Sequence, residues 1–160
     1  MATEKLKLKL KLFAKMWDKP PVAEIFINDT SISKKEITGT ESNPDVIEFE
    51  HELEEGQNYN LVIDRSGKVP GQTVINEKGD ILKDQLLNIK SIEIDEIDIG
   101  GLVFEGVYKP KYPEPWASQQ RSAGAELQEE FKNVTQMGHN GTWSFKFESP
   151  FYMWLLENLY

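Results

Sequence analysis

The chain has 160 residues, a formal net charge of −9 and no cysteine. That length predicts a single domain spanning 1–160, able to bury about 70% of its unfolded surface without a metal or disulfide staple. Absence of cysteine excludes disulfides, zinc–thiolate centres, iron–sulfur clusters and thiol nucleophiles, and the acidic balance argues against a generic nucleic-acid binder.

The first fifteen residues hold five of the 18 basic side chains and one of the 27 acidic ones. Leu6, Leu8, Leu10 and Leu12 alternate there with Lys5, Lys7, Lys9 and Lys11, the signature of a half-buried strand with lysines outward. Because lysine interrupts every apolar position, no export signal is expected in this segment, and no later run is long enough for a membrane helix. Ala23, Ile25 and Ile27 repeat the period of two, and Asn28-Asp29-Thr30 follows as a turn. Ile47, Phe49, His51 and Leu53 then alternate with Glu48, Glu50 and Glu52. Beyond the turn residues Glu55-Gly56-Gln57, Tyr59, Leu61 and Ile63 continue the pattern, so the two segments read as an antiparallel hairpin.

From Asp84 to Val107 the apolar register changes face twice. Leu87 and Ile89 give way to Ile92 and Ile94, then to Ile97 and Ile99. A strand changes face only by an extra residue, so a bulge near Lys90-Ser91 and a turn at Asp95-Glu96 are expected. Leu102-Val103-Phe104, after two glycines, reads as a further short strand, and Trp143, Phe145 and Phe147 mark the last one. A weaker helix is expected within Pro115 to Lys132, with Ala123 to Phe131 as the candidate span. A firmer one follows Ser149-Pro150, with Ser149 as cap and Phe151, Trp154, Leu155, Asn158 and Leu159 at helical spacing. The fold class is therefore all-β: a jelly-roll-like β-sandwich with a long loop excursion over 109–141 and a short C-terminal helix over 149–159.

The lysine row and the Glu48, Glu50 and Glu52 row admit two readings. They match each other across neighbouring strands, or the lysines guard an edge strand and meet an acidic partner. His51 falls in an apolar strand register, and His139 lies in the turn sequence Gly138-His139-Asn140-Gly141. Hydrolase elbows, phosphate loops, dinucleotide fingerprints and zinc-protease helices do not occur in the sequence. The expected activity is binding without catalysis.

Three features are candidates for that binding. Tyr108, Tyr112 and Trp116 alternate with prolines, which hold a segment extended and keep its rings presented. Such rings stack on a sugar, anchor a protein interface, or fold back over the sandwich. Trp154, with its apolar helix, either contacts a neighbouring subunit or covers the core. Glu77, Asp80 and Asp84 bracket a turn with oxygen ligands, which makes Asp80 and Asp84 the candidates for a calcium ion. No other cofactor is expected.

The segment Asp84-Gln85-Leu86-Leu87-Asn88-Ile89-Lys90-Ser91-Ile92-Glu93-Ile94 resembles the Asp-Arg-Asn-Leu-strand motif of calcium-dependent xylan-binding modules. Those are non-catalytic jelly-roll domains that hold polysaccharide through calcium. Asp84 and Leu87 match the motif, whereas Gln85 stands at its arginine and Leu86 at its asparagine. Tyr112-Pro113-Glu114-Pro115-Trp116-Ala117-Ser118-Gln119-Gln120 and the ending Ser149-Pro150-Phe151-Tyr152-Met153-Trp154-Leu155-Leu156-Glu157-Asn158 resemble small proteins of large marine tailed phages. That resemblance implies a virion part, such as a decoration or tail-accessory subunit, assembled in a bacterial cytoplasm. Its partners would be virion proteins or a second copy, with no nucleic acid and no membrane. The alternative is a calcium-dependent carbohydrate-binding module that attaches to polysaccharide on a host surface.

Overall fold

A computed structural model of the chain describes residues 2–15, 19–68, 74–78 and 80–159. Alternation dominates from the start. In β1 (Thr3–Lys15), Leu6, Leu8, Leu10 and Leu12 all lose their contact with water while the lysines between them stay outside. Each such leucine contributes roughly 1.5–3 kcal/mol of burial.

Strand β1 lies inside its sheet. It pairs antiparallel with β4 (Asp45–Glu54) on one side and with β8 (Leu86–Ile94) on the other. The edge-strand reading of the lysines is therefore corrected: β1 is paired on both sides, and its lysines match glutamates of its two neighbours. Lys5, Lys7 and Lys9 face Glu52, Glu50 and Glu48 in the ladder. The ammonium groups lean diagonally, Lys5 to Glu50 at 3.1 Å and Lys7 to Glu48 at 2.6 Å, while Lys9 reaches Glu93 of β8 at 3.9 Å.

The second sheet holds β2 (Val22–Ile27), β3 (Thr30–Glu36), β5 (Asn58–Ser66), β10 (Val107–Pro110), β11 (Phe131–Lys132) and β13 (Gly141–Glu148). Their order is β11-β10-β13-β5-β2-β3, against β12-β8-β1-β4 in the first sheet, where β12 is Gln136–Met137 and β9 (Ile97–Asp98) pairs with β8. Ala23, Ile25, Ile27, Leu61, Ile63, Trp143, Phe145 and Phe147 pack from the second sheet against the leucines and isoleucines of the first. The result is a jelly-roll-like antiparallel sandwich whose chain passes repeatedly between layers. A small separate ribbon is formed by β6 (Val74–Ile75) and β7 (Ile81–Lys83).

The expected hairpin of β4 and β5 is an arch instead. The two strands lie in opposite sheets, β4 on β1 and β5 between β2 and β13. Alternation serves both arrangements equally, because in either case the apolar side faces one core. The bulge and turn of the next segment are as expected. Lys11 pairs with Ser91 and Leu12 with Ile89, which leaves Lys90 as the extra residue. Asp95 and Glu96 have φ of 52° and 67°, the left-handed pair that a tight two-residue hairpin requires.

Leu102-Val103-Phe104 is not a strand but part of a 3-10 helix over Gly100–Glu105. Local bonds from Leu102 N–H to the Ile99 carbonyl and from Gly106 N–H to that of Val103 satisfy the backbone, and only Val103 of the three is buried. The first α-helix, α1 (Trp116–Ser122), lies within the expected Pro115 to Lys132 stretch but ahead of Ala123 to Phe131, and Gly124 at φ 92° follows it in a conformation that helices do not continue.

Helix α2 (Phe151–Leu159) closes one end of the sandwich. Phe151 and Leu155 are buried, and Trp154 meets Phe145 edge-on at 5.7 Å. The cap differs from the expected one. Glu4 of β1 accepts the Phe151 N–H at 2.8 Å and also the Ser149 hydroxyl, so a carboxylate from the first strand does the work assigned to Ser149.

Gly106 marks the tightest packing against the core indole. A Cβ there would stand 2.3 Å from ring carbons of Trp143, whose side chain is fully enclosed. Gly106→Ala is expected to destabilise the protein by about 1–3 kcal/mol in urea unfolding. Gly101→Ala, with open space at its Cβ, is expected to stay within about 0.5 kcal/mol of the parent.

Candidate functional site

The 109–141 excursion is more structured than a loop. It contributes α1, then β11 to the edge of one sheet and β12 to the edge of the other. Between those edges lies a cleft of about 480 Å³, walled by Tyr108, Tyr112, Phe131, Gln136 and His139 among others. That volume suits a short oligosaccharide or peptide segment.

Tyr112 and Trp116 come together with His139 in a three-ring cluster beside the cleft. Tyr112 stands edge-on to His139 at 5.0 Å, Trp116 is tilted over the same imidazole at 5.6 Å, and the two larger rings are 6.0 Å apart. Each is fixed from behind. The Tyr112 hydroxyl donates to the Gln128 carbonyl at 2.6 Å, and Trp116 opens α1, whose Ala117 N–H donates to the Pro113 carbonyl at 2.8 Å. Trp116 remains 38% exposed. Prolines 110, 113 and 115 therefore present two of the three expected rings.

Tyr108 is different. Its ring is 4% exposed and stacks on Phe131 at 6.1 Å, so it is no open stacking surface. Its hydroxyl donates to the His139 carbonyl at 2.5 Å and accepts the His139 N–H at 2.9 Å. Burial pushes its pKa up to about 12, so the hydroxyl keeps its proton and both bonds at neutral pH. Tyr108 positions the imidazole from beneath. Trp154 belongs elsewhere, packed on Phe145, Phe147 and Phe151.

Beneath the rings lies a polar knot. Arg65, on the inward register of β5 after Leu61 and Ile63, is completely buried. Its guanidinium donates to Asn140 Oδ1 at 2.8 Å and to the Gln85 carbonyl at 2.6 Å, and burial lowers its pKa to about 10. Asn140 Oδ1 also accepts the Lys68 N–H at 3.0 Å, and its Nδ2 donates back to the Lys68 carbonyl at 2.9 Å. The Lys68 ammonium donates to the Gly138 carbonyl at 2.5 Å and pairs with Asp84 at 3.0 Å. His139 sits above this knot with a buried Nδ1 that has no hydrogen-bond partner. Burial, then the Lys68 and Arg65 charges, hold its pKa below the usual imidazole value against the opposing pull of Asp84.

The same geometry bears on calcium. The ion takes six to eight oxygen ligands. Asp84 instead holds an ammonium, and Asp80 is exposed in the β6–β7 turn, bonded to Asn76. Among the described residues no group of three or more His, Asp or Glu side chains is placed to hold a metal. The described residues do not assemble a calcium site at Asp84, where Lys68 supplies the positive charge.

Sequence reading singled out Tyr112 and Trp116 but missed Arg65, Lys68, His139 and Asn140. For Arg65 a signal existed, since an arginine on the inward side of a strand demands buried acceptors. Lys68, His139 and Asn140 meet only through tertiary contacts.

No protein-family model and no curated protein matches the chain. Solved structures similar to it include the selenomethionine form of vCBM60, from work on circular permutation linking two families of calcium-dependent carbohydrate-binding modules. That chain is 7% identical with a TM-score of 0.49, over 88% of this chain and 89% of that one. Another is vCBM60 in complex with galactobiose, 8% identical with a TM-score of 0.48, over 87% of this chain and 96% of that one.

Replacing the pair's cation separates the two explanations of Asp84. Lys68→Met is expected to cost on the order of 2 kcal/mol in thermal or urea unfolding, by taking the ammonium away from a shielded carboxylate. Excess EDTA is expected to leave the melting temperature of the parent protein unchanged.

Proposed function

We propose that the chain is a non-catalytic carbohydrate-binding module, with Tyr112, Trp116 and His139 as its stacking surface and the adjoining cleft as its subsite. The observation that carries this reading is the ring cluster, with Trp116 exposed and Tyr112 and His139 half-buried beside a cleft that has both aromatic and amide walls. Sugar rings present apolar C–H faces and a rim of hydroxyls. A rigid aromatic surface with nearby amides answers both features at low entropic cost. The acceptors and donors of Gln136 and Thr135 lie on the cleft wall, where ring hydroxyls would arrive. Binding in this reading does not pass through a metal.

Affinity electrophoresis in gels containing soluble xylan or galactan, with tryptophan fluorescence on short oligosaccharides, tests the proposal. Trp116→Ala is expected to weaken binding at least about tenfold while leaving the unfolding midpoint within experimental error. Retention unchanged by that substitution, or no retention of the parent on any polysaccharide, would count against it.

One observation favours a second reading, attachment to a protein neighbour. The outer face of α2 leaves Tyr152, Met153 and Leu156 exposed at 47%, 63% and 61%, on the opposite flank of the helix from Phe151 and Leu155. Mass spectrometry of purified phage particles is expected to find the protein there in stoichiometric amount if this face docks on the virion.

A further inference from the structure

Helical geometry orders the exposed side chains of α2. At about 100° per residue, the order around its outer surface is Tyr152, Leu156, Met153 and then Glu157, while Phe151 and Leu155 face the core. This apolar stripe is firmly held. Glu4 accepts the Phe151 N–H, Trp154 stands edge-on to Phe145, and the Tyr152 hydroxyl donates to Asp95 Oδ2 at 2.9 Å. Asp95 is fixed in turn, since its other oxygen accepts the Lys7 N–H at 2.8 Å. The bond to Asp95, then slight burial, then the charges of Asp95, Glu4 and Glu96 hold the phenol of Tyr152 above its usual pKa. Carboxylates therefore border the stripe on the Tyr152 side, and Glu157 borders it beyond Met153.

The end of the sandwich that carries α2 is acidic by sequence. The β4–β5 connection supplies Glu54 and Glu55, and the β8–β9 turn supplies Asp95 and Glu96. Residues 148–158 hold Glu148 and Glu157 with no lysine, arginine or histidine among them. Lys5 and Lys7 of β1 reach Glu50 and Glu48 across the first sheet. An apolar centre within a charged rim is the anatomy of a protein interface, and tyrosine and methionine are enriched in such centres. The sign of the rim selects the occupant. A two-fold contact of α2 with a second copy crowds two acidic rims together, and an anionic lipid surface is repelled by the same charges. What this face complements is an apolar ridge with cations on both flanks.

We infer that the outer face of α2 is a docking surface for a basic amphipathic segment of another protein. Its apolar side chains would seat on Tyr152, Met153 and Leu156, and its lysines or arginines would meet Asp95, Glu96 and Glu157. This rests on the protein-neighbour reading of α2 and gives the neighbour its chemistry. The surface is remote from the cleft. Glu4 caps α2, whereas Ala14, ten positions along β1 and roughly 30 Å away, pairs with Leu87 beside β12. Cleft and helix face can be occupied together.

Fluorescence anisotropy on the full chain tests this with three labelled peptides. They are a leucine-lysine amphipathic helix, its leucine-glutamate counterpart, and a leucine-lysine peptide of the same composition rearranged to have no apolar face. The first is expected to bind at least about tenfold tighter than either of the others. Leu156→Ser is expected to weaken it at least about tenfold, and Glu96→Gln combined with Glu157→Gln about threefold with a shallower salt dependence. All three side chains are exposed, so the unfolding midpoints are expected to stay with the parent. Trp116→Ala, at the cleft, is expected to leave peptide binding unchanged. Equal binding of the rearranged peptide, or affinity untouched by Leu156→Ser, means charge attraction alone and overturns the docking surface. Preference for the leucine-glutamate peptide, or self-association in sedimentation velocity, either one lost in Leu156→Ser, overturns the basic partner and leaves the protein-neighbour reading standing. No binding of any peptide together with no self-association overturns both.

Discussion

A guanidinium taken out of water must be given acceptors, and the fold around the cleft is organised by how Arg65 is given them. Its position on β5 is dictated by strand alternation, which turns residue 65 inward after Leu61 and Ile63. Asn140 and the Gln85 carbonyl then have to approach it, from the start of β13 and the start of β8. Asn140 draws in the backbone of Lys68, and Lys68 draws in Gly138 and Asp84. One enclosed charge thereby fixes the conformation of the 138–140 turn, on which the imidazole of His139 is carried. The placement of His139 thus follows from an electrostatic need beside it.

Much of the sandwich was legible in the sequence because period-two alternation reports directly on which side of a strand meets the core. The leucines of β1, the bulge at Lys90 and the tight turn at Asp95-Glu96 all follow from counting residues between changes of face. Alternation is silent on which strands pair. The β4–β5 arch therefore looked like a hairpin, since Ile47 and Leu53 on one strand and Leu61 and Ile63 on the other face the same interior in either topology. The sequence feature that agrees with the observed pairing is the matching of charges, since Glu48 and Glu50 of β4 meet Lys7 and Lys5 of β1.

The site was half legible. Proline spacing suggested that Tyr112 and Trp116 would be presented together; in the structure they meet at 6.0 Å, Trp116 exposed and Tyr112 half-buried against His139. The same spacing misplaced Tyr108, whose position in β10 points its ring inward next to Phe131 and turns its hydroxyl into a clamp. Asp84 looked like a metal ligand from its neighbours in sequence. In space its neighbour is the ammonium of Lys68, sixteen positions upstream, and local sequence carries no record of that meeting.

The walls of the cleft belong to different layers, since β11 ends one sheet and β12 ends the other. Sliding of the two layers past each other, the natural soft motion of stacked sheets, changes the width of the gap directly. In the carbohydrate-binding reading, a guest held between Tyr112 and Gln136 would fasten the two layers together, and the free energy of opening the interior would rise with the logarithm of its concentration relative to its dissociation constant.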